Sequence, residues 1–409
     1  MKIIIVLIIA LSISSAVFNQ TLQPNDSIKP FVDYLIHVPP LTPKEYVLKS
    51  FEDKDIIVIS ERLHPEFTQY EMIVNIIRDH RFKGNVYTEV GTFNSGEKIN
   101  EFLGKEGLSK EEVEEEILKI FKDLDFYPLW SNYNYYYLIK SIYEINQQRS
   151  GDDKIFLYPL DLIFEWGSIK CNEQYSMFMD MMEPQNNQPP VIDRNAIMGK
   201  HFVSAYLDAK YQHPNKKKAL VIMNSYHGYT RIPAYLPDTT EPFTYSTAEY
   251  IYKTFPKITK GILINFYPTS GTIKLVAGGK WDAAFKVTGN KDIGFDLRDT
   301  PFGETTFDMY NFGGKDYQSV NFEDLFDGFI FYKPIESFEL AVGIPKIFND
   351  SLFVEEFYRR TAIDDNISIQ EAKSSKETQR FIKEKNVLKI EKIENLDKYI
   401  SLINKWITD

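Results

Sequence analysis

The sequence predicts an α/β fold with a mostly parallel central sheet, helices on both faces, and further helices at the C-terminus. Three observations support this prediction. The 409 residues are 43% hydrophobic and 26% charged, which is enough apolar material for a large core. Short β-branched runs alternate with segments of helical periodicity, as in sheets covered on both faces. The 30 Phe and 26 Tyr residues indicate a core rich in aromatic side chains.

The N-terminus has the pattern of a secretory signal peptide. Met1-Lys2 is followed by an apolar run over residues 3–13 and then by Ser14-Ser15-Ala16. A positive charge, a short apolar region and small residues are typical of a signal that is cleaved, here near Ala16. The run is shorter than the roughly 20 residues that span a bilayer. We therefore expect a secreted or periplasmic protein with no membrane span after cleavage, and a retained anchor is the alternative.

Apolar periodicity and capping residues predict the order of the strands and helices. Thr42-Pro43-Lys44-Glu45 predicts a helix start, and Ser109 to Glu112 predicts another through a capping box. The predicted strands cover residues 56–60, 85–90, 155–159, 219–223, 261–267 and 328–332. The other predicted helices cover residues 68–82, 131–147, 191–211 and 246–255. His80 falls on the apolar face of its helix, which predicts a buried core histidine.

Composition changes mark the remaining segments. Residues 183–190 are rich in Pro, Asn and Gln and predict a loop, and residues 279–315 are rich in Gly and Asp and predict a long loop over the sheet rim. From about residue 344 the chain becomes rich in Lys and Glu with helical spacing. The prediction is a signal peptide at 1–16, an α/β domain at 26–343 and a C-terminal helical extension at 344–409.

Charge and cysteine content exclude several classes of function. The formal net charge is −11, and no basic patch interleaved with aromatic residues occurs, so nucleic acid is not expected as a partner. Cys171 is the only cysteine, which excludes an intramolecular disulfide and a cysteine-based zinc site. We expect its thiol to be buried or partly buried.

Polar residues follow four of the predicted strands. Parallel strands joined by helical crossovers bring their carboxyl ends to one edge, where ligands bind in open α/β sheets. A histidine beside a carboxylate suits proton transfer, because its unperturbed pKa is about 6.5. No Gly-x-Ser-x-Gly elbow is present, so the serine-hydrolase route lacks its signature. The polar groups are Glu61 with His64, Glu89, Asp161, and Asn224 with His227, of which Asp161 is expected to be a helix cap or turn former.

Four motifs in order give the chain a resemblance to the erythromycin esterase-like superfamily over residues 45–335. Ser60-Glu61-Arg62-Leu63-His64 resembles its Gly-Glu-x-x-His motif, and Thr88-Glu89-Val90-Gly91 resembles the Glu that ends the second strand. Residues 193–198, which include Arg194 and Met198, resemble the helical Arg and Met motif. Residues 223–227 resemble the last motif, which ends on His227. Two positions depart from the pattern: Ser60 replaces a Gly, and Asn224 replaces a His.

The resemblance implies a role for each matched residue. His64 would activate a water molecule, Glu61 and Glu89 would orient it, and Arg194 and His227 would contact the substrate or the developing oxyanion. Asn224 and Tyr226 would bind substrate. Arg194 is expected to form a buried ion pair, with Glu61 as one candidate partner.

Two functions follow as hypotheses. The first is a hydrolase of ester- or amide-like bonds that acts on a small-molecule substrate through a His-activated water, with no metal and no cofactor. The second is a non-catalytic protein that binds haem, a metal or another small ligand, because families of the same fold do so and because Asn224 replaces a His. A metal-dependent hydrolase using Glu61, His64, Glu89 and His227 lies between them.

Overall fold

The computed structural model describes residues 25–182, 191–231, 244, 246–265, 274–309 and 320–408. The predicted signal peptide and the predicted loop at 183–190 lie outside these residues, so both stay predictions, as does export. No helix within the described ranges is long and apolar enough to cross a membrane.

The described part of the chain forms an α/β fold around a seven-stranded sheet, as predicted. Its strand order is β3-β2-β4-β1-β5-β7-β6, and all neighbours are parallel except β6, which runs antiparallel to β7. A two-stranded antiparallel sheet joins β8 to β9. The strands are β1 (Ile56–Glu61), β2 (Gly84–Thr92), β3 (Leu157–Asp161), β4 (Lys218–Asn224), β5 (Thr259–Ile264), β6 (Ile293–Asp296), β7 (Gly328–Phe331), β8 (Leu340–Val342) and β9 (Lys389–Glu391).

Helices cover both faces of the large sheet. Those before β5 are α1 (Lys29–His37), α2 (Pro43–Asp53), α3 (Thr68–Arg78), α4 (Gly96–Gly104), α5 (Lys110–Lys122), α6 (Tyr133–Asn146), α7 (Asn172–Met182), α8 (Arg194–Gln212), α9 (Ser225–Gly228) and α10 (Thr247–Thr254). The later ones are α11 (Lys280–Val287), α12 (Phe322–Leu325), α13 (Ser351–Asp364), α14 (Ile369–Ser374), α15 (Lys376–Lys385) and α16 (Leu396–Thr408).

Strand β1 shows why the sheet is buried. All of its residues are buried, and its apolar side chains alternate between two cores. Ile57 and Ile59 pack with α2 and α3, whereas Ile56 and Val58 pack with α8 and α10. A strand that is apolar on both faces belongs inside a parallel sheet. The caps predicted at Thr42 and Ser109 also form, because each hydroxyl accepts the backbone N–H three residues later.

Three predictions are wrong. Helix α3 ends at Arg78, because Asp79 adopts extended backbone angles, and His80 is therefore 94% exposed rather than part of the core. The stretch 279–315 is not a loop over the rim: as far as residue 309 it contains α11 and β6, which lie at the opposite edge of the sheet from β3. Cys171 is exposed. The loop prediction failed because the Gly and Asp residues belong to turns between short elements and not to one continuous loop.

The C-terminal region is helical, as expected, and contacts the rest of the chain through named groups. The two-stranded sheet pairs Ala341 with Ile390 across the predicted boundary at 343. Arg360, on α13, is buried and donates through Nη1 to the carbonyl of Lys122 at 2.6 Å. The division into an α/β domain and an extension stays a prediction.

Candidate active site

The polar strand ends predicted from the sequence belong to four neighbouring strands. In the order β3-β2-β4-β1, these strands carry Asp161, Glu89, Asn224 and Glu61. Glu61 is in register with Asn224, and Asp161 is in register with Thr92 near the end of β2. The crossover connections therefore bring residues that are 163 positions apart in sequence to one edge of the sheet.

Glu89 lies where β2 departs from regular pairing with β3. The register shifts between Thr88 and Thr92, and Gly91 adopts a φ of +97°, which favours glycine. A Cβ at Gly91 would also lie 3.0 Å from Cβ of Pro159. Such irregularities re-aim side chains at sheet rims. Here the irregularity presents the Glu89 carboxylate to the groups that follow β1 and β4.

His64 is held by a carboxylate that is itself held from behind. Its Nδ1 lies 2.6 Å from Oε1 of Glu61, and Oε2 of Glu61 accepts a hydrogen bond from the hydroxyl of Tyr70 at 2.9 Å. Asn134 donates to the carbonyl of His64 at 2.6 Å and to that of Glu66 at 2.8 Å. The imidazole is therefore fixed from its ring and from its backbone, with its side chain 29% exposed.

His227 is oriented by an amide rather than by a carboxylate. Its Nδ1 lies 2.6 Å from Oδ1 of Asn195. Asn195 is itself oriented, because its Nδ2 donates to the carbonyl of Thr244 and its Oδ1 accepts from the hydroxyl of Thr247, each at 3.1 Å. An oxygen facing Nδ1 places the proton of a neutral ring there. Nε2 of His227 is then the basic nitrogen.

Glu89 is the common neighbour of the two histidines and Arg194. Its Oε1 lies 3.4 Å from Nε2 of His227, 4.0 Å from Nε2 of His64 and 3.8 Å from Nη2 of Arg194. Its Oε2 accepts the backbone N–H of Asn224 at 2.7 Å. Burial favours the neutral acid, but these neighbours outweigh it and lower the pKa of Glu89. The carboxylate is therefore ionised at neutral pH.

Arg194 pairs with Asp161, not with Glu61. Its Nε and Nη2 donate to the two carboxylate oxygens of Asp161 at 2.9 and 2.6 Å. This bidentate geometry fixes the guanidinium plane. Asp161 accepts the backbone N–H of Leu162, as a turn former does, and its carboxylate also anchors Arg194 beside Glu89, which the sequence did not predict.

The two histidines are held in opposite protonation states. Burial opposes the imidazolium of His64, but the carboxylates of Glu61 and Glu89 outweigh it and raise the pKa to about 9. Burial lowers the pKa of His227 below 6.5, and Arg194 adds to this effect against the opposing charge of Glu89. At pH 7 His64 is therefore a cation, and His227 is neutral.

Ser60 and Gly228 bring β1 and α9 into close contact behind the site. The hydroxyl of Ser60 donates to the carbonyl of Gly228 at 3.0 Å, and a Cβ at Gly228 would lie 2.1 Å from Oγ of Ser60. Ser60 is fully buried. It is a structural residue that holds the helix turn carrying His227.

The two histidines, Glu89, Arg194 and Asp161 line one open cavity of about 500 Å³. Of the residues predicted from the sequence, His64, Glu89, Arg194, Asn224, Tyr226 and His227 contribute to its wall, and Glu61 lies behind His64. The side chain of Asn224 accepts the backbone N–H of Tyr226 at 3.1 Å and so caps α9. The roles assigned to these residues from the sequence stay predictions.

Sequence reasoning missed several residues of the cavity. Asn195 lies inside the quoted helical motif but received no role, and its spacing next to Arg194 was the only available signal. Asp125 and Trp130 follow no predicted strand, so nothing in the pattern pointed to them. The further lining residues are Val90, Asp125, Phe126, Tyr127, Trp130, Asp161, Met182, Ile192, Asp193, Asn195 and Thr244.

Glu61, His64 and Glu89 each offer a ligand atom within 4.8 Å of the others, a spacing that a metal ion could use. Each of these groups already has a protein partner, however. Both oxygens of Glu61 are engaged by His64 and Tyr70, and Nη2 of Arg194 lies 3.8 Å from Glu89. The carboxylates already have cationic partners, so we assign no metal to this cluster.

Comparison with known proteins finds similar solved structures only. No family model and no curated protein matches the sequence. The chain is similar to erythromycin esterase EreC, a His-to-Asn mutant in its open conformation, at 10% identity and a TM-score of 0.47, over 78% of this chain and 97% of that one. It is also similar to a Bacillus cereus protein, at 12% identity and a TM-score of 0.45, over 75% of this chain and 97% of that one. A succinoglycan biosynthesis protein is similar at 12% identity and a TM-score of 0.47, over 75% of this chain and 96% of that one. These values describe overall arrangement, and we assign no activity from them.

Proposed function

We propose that the protein is a hydrolase of ester or similar acyl bonds that activates a water molecule between His227 and Glu89. The observation that carries this proposal is the pair of imidazoles on Glu89, one neutral and one cationic at pH 7. Titratable groups whose pKa values are pushed apart are a general sign of an acid and a base. The site therefore offers both partners of a proton-transfer reaction.

The protonation states favour exchanging the roles that the resemblance implied. Nε2 of His227 takes a proton from water, and the oxygen of that water attacks the carbonyl carbon. Arg194 and the His64 imidazolium stabilise the oxyanion, and Nε2 of His64 gives its proton to the leaving alkoxide as the C–O bond breaks. The proton on His227 then returns to His64 through solvent. Glu89 keeps its charge throughout: it pairs with the His64 imidazolium, and it becomes the partner of Nε2 of His227 once that ring has taken the proton.

The test is hydrolysis of p-nitrophenyl esters of increasing acyl length, followed from pH 5 to 10. We expect kcat/KM to rise below neutral pH as His227 loses its proton and to fall near pH 9 as His64 loses its own. His227→Gln should lower kcat/KM by about 10²- to 10⁴-fold. His80→Gln is the control, because His80 is exposed and outside the cavity. Equal rates for His227→Gln and the wild type would refute the assignment.

The alternative hypothesis is that the protein binds haem or a metal without catalysis, and the same purified protein can test it. Metal analysis and haem titration of the purified protein separate it from hydrolysis. A stoichiometric ligand together with absent esterase activity would favour a binding protein over the hydrolase.

A further inference from the structure

One wall of the cavity is a short segment, residues 125–130, that combines a buried carboxylate with aromatic rings. Asp125, Phe126, Tyr127 and Trp130 all line the cavity. Asp125 is 7% exposed, and Oδ1 accepts the backbone N–H of Tyr127 at 3.0 Å. Burial raises the pKa of Asp125 to about 7. Among the described residues no basic side chain forms an ion pair with this carboxylate within 4.0 Å.

The charges around the cavity do not balance. Four carboxylates line it, those of Glu89, Asp125, Asp161 and Asp193, against the two cations Arg194 and His64. Arg194 is engaged by Asp161, and His64 lies between Glu61 and Glu89. Asp193 accepts the backbone N–H of Ala196 at the start of α8 and the backbone N–H of Thr244. Among the described residues, Asp125 is left as the carboxyl group with no cation within contact distance, so a ligand cation would stabilise its ionised form against the burial that raises its pKa.

The wall is held in place from behind. Nε1 of Trp166 donates to the carbonyls of Asp125 and Tyr127 at 3.0 and 3.2 Å, and Nη1 of Arg360 donates to the carbonyl of Pro128 at 3.5 Å. The guanidinium of Arg360 also packs 5.2 Å from the ring of Trp166. Because two buried donors fix its backbone, the segment is preorganised rather than shaped by the ligand.

We propose that the substrate carries a cationic amine or quaternary ammonium group, which Asp125 and the aromatic rings of residues 125–130 bind while the acyl group faces His227. Aromatic faces attract organic cations within about 6 Å of the ring centre. Tyr127 is 40% exposed and Trp130 is half-buried, so both rings reach the cavity. The placement of the acyl group rests on the proposed hydrolase function, whereas the binding of the cation does not.

The experiment compares acetylcholine with its uncharged isostere, in which carbon replaces the quaternary nitrogen. For the wild type we expect kcat/KM to be higher for the charged ester, and we expect Asp125→Asn to lower the charged-to-uncharged ratio by about tenfold. Asp180→Asn is the matched control, because it removes the same charge from the exposed face of α7 and should leave the ratio unchanged. A ratio of one in the wild type, or one that Asp125→Asn leaves unaltered, would overturn the inference.

A binding measurement separates failure of this inference from failure of the proposed function. Tetramethylammonium binding is followed by tryptophan fluorescence, with Trp130→Phe identifying the reporter. If neither ester is hydrolysed but tetramethylammonium binds and Asp125→Asn weakens it about tenfold, the cation site stands and the hydrolase does not. If esters are hydrolysed but tetramethylammonium does not bind, the hydrolase stands and the cation site does not.

Discussion

The sheet has two parts in which the polar residues at strand ends have different partners. In the part β3-β2-β4-β1, Glu89 lies beside two histidines and an arginine at an open cavity. In the part β5-β7-β6, Asn265 follows β5 and is also buried, yet its amide donates to the carbonyl of Lys333 at 3.0 Å and accepts the N–H of Tyr332 at 3.1 Å. The residue after β5 therefore bonds backbone groups, whereas Glu89 meets three basic side chains at the large open cavity.

The aromatic content follows the same division. On the face of β7 that carries Phe329 and Phe331, Phe331 packs against Phe285 with ring centres 3.9 Å apart, and Trp281 contacts Phe322 and Phe329 at 4.6 and 5.0 Å. These rings fill space, which is the structural role that the composition predicts. By contrast, Trp130 contacts His64 edge-on at 5.4 Å and lines the cavity. The candidate active-site residues belong to the first part of the sheet, and the aromatic residues of the second part form a packed core.

Removing the charge of Glu89 should abolish most of the activity of the first part of the sheet without unfolding the protein. We expect Glu89→Gln to lower kcat/KM for ester hydrolysis by about 10³-fold, because the His64 imidazolium and the imidazolium formed on His227 during the reaction both lose the negative charge beside them. The amide can still accept the N–H of Asn224. Glu71→Gln, on α3 and outside the cavity, is the control. Undiminished hydrolysis by Glu89→Gln would contradict the division.

The first part should also make stability depend on pH. The pKa of His64 is raised in the folded state, so its contribution is complete below the unfolded pKa of about 6.5 and is lost as pH rises to about 9. Across this window the free energy of unfolding should fall by no more than about 3 kcal/mol on account of His64. Urea unfolding at several pH values measures it, and in His64→Gln this fall should disappear. A fall of equal size in the variant would assign it to other groups.

The second part should respond to mutation in stability rather than in rate. Asn265→Ala leaves the backbone N–H of Tyr332 and the carbonyl of Lys333 without their partner, which costs about 1–3 kcal/mol. Urea unfolding measures the loss, and kcat/KM of the folded protein should stay within about twofold. Activity loss as large as that of Glu89→Gln would mean that the two parts are not separable.

Much of the fold could be predicted because its signals are local. The apolar run 56–60, the caps at Thr42 and Ser109, and the strand at 219–223 depend on neighbours a few residues away, and all of them form. The end of α3 could not be predicted, since the apolar period continues past the residue where the backbone turns. The edge strand β6 is only four residues long, and its Gly-rich surroundings concealed it.

The candidate site could be predicted in part for the same reason. Glu61, Glu89, Asn224 and His227 were found because strand ends in a parallel sheet converge. The pairing of Arg194 with Asp161 depends on how α8 lies against β3, which no sequence spacing specifies. Protonation states were also out of reach, because burial and the balance of three neighbouring charges decide them. The roles of His64 and His227 differ through one partner, a carboxylate for the first and an amide for the second.

The close contact between Ser60 and Gly228 has a consequence for how this sequence can change. The hydroxyl of Ser60, on β1, fills the space behind His227 and leaves none for a methyl group at Gly228, on α9. The two positions therefore form a size-compensating pair: Ala at 228 is tolerable only with Gly at 60. Gly228→Ala alone would therefore push α9 away from β1 and shift His227.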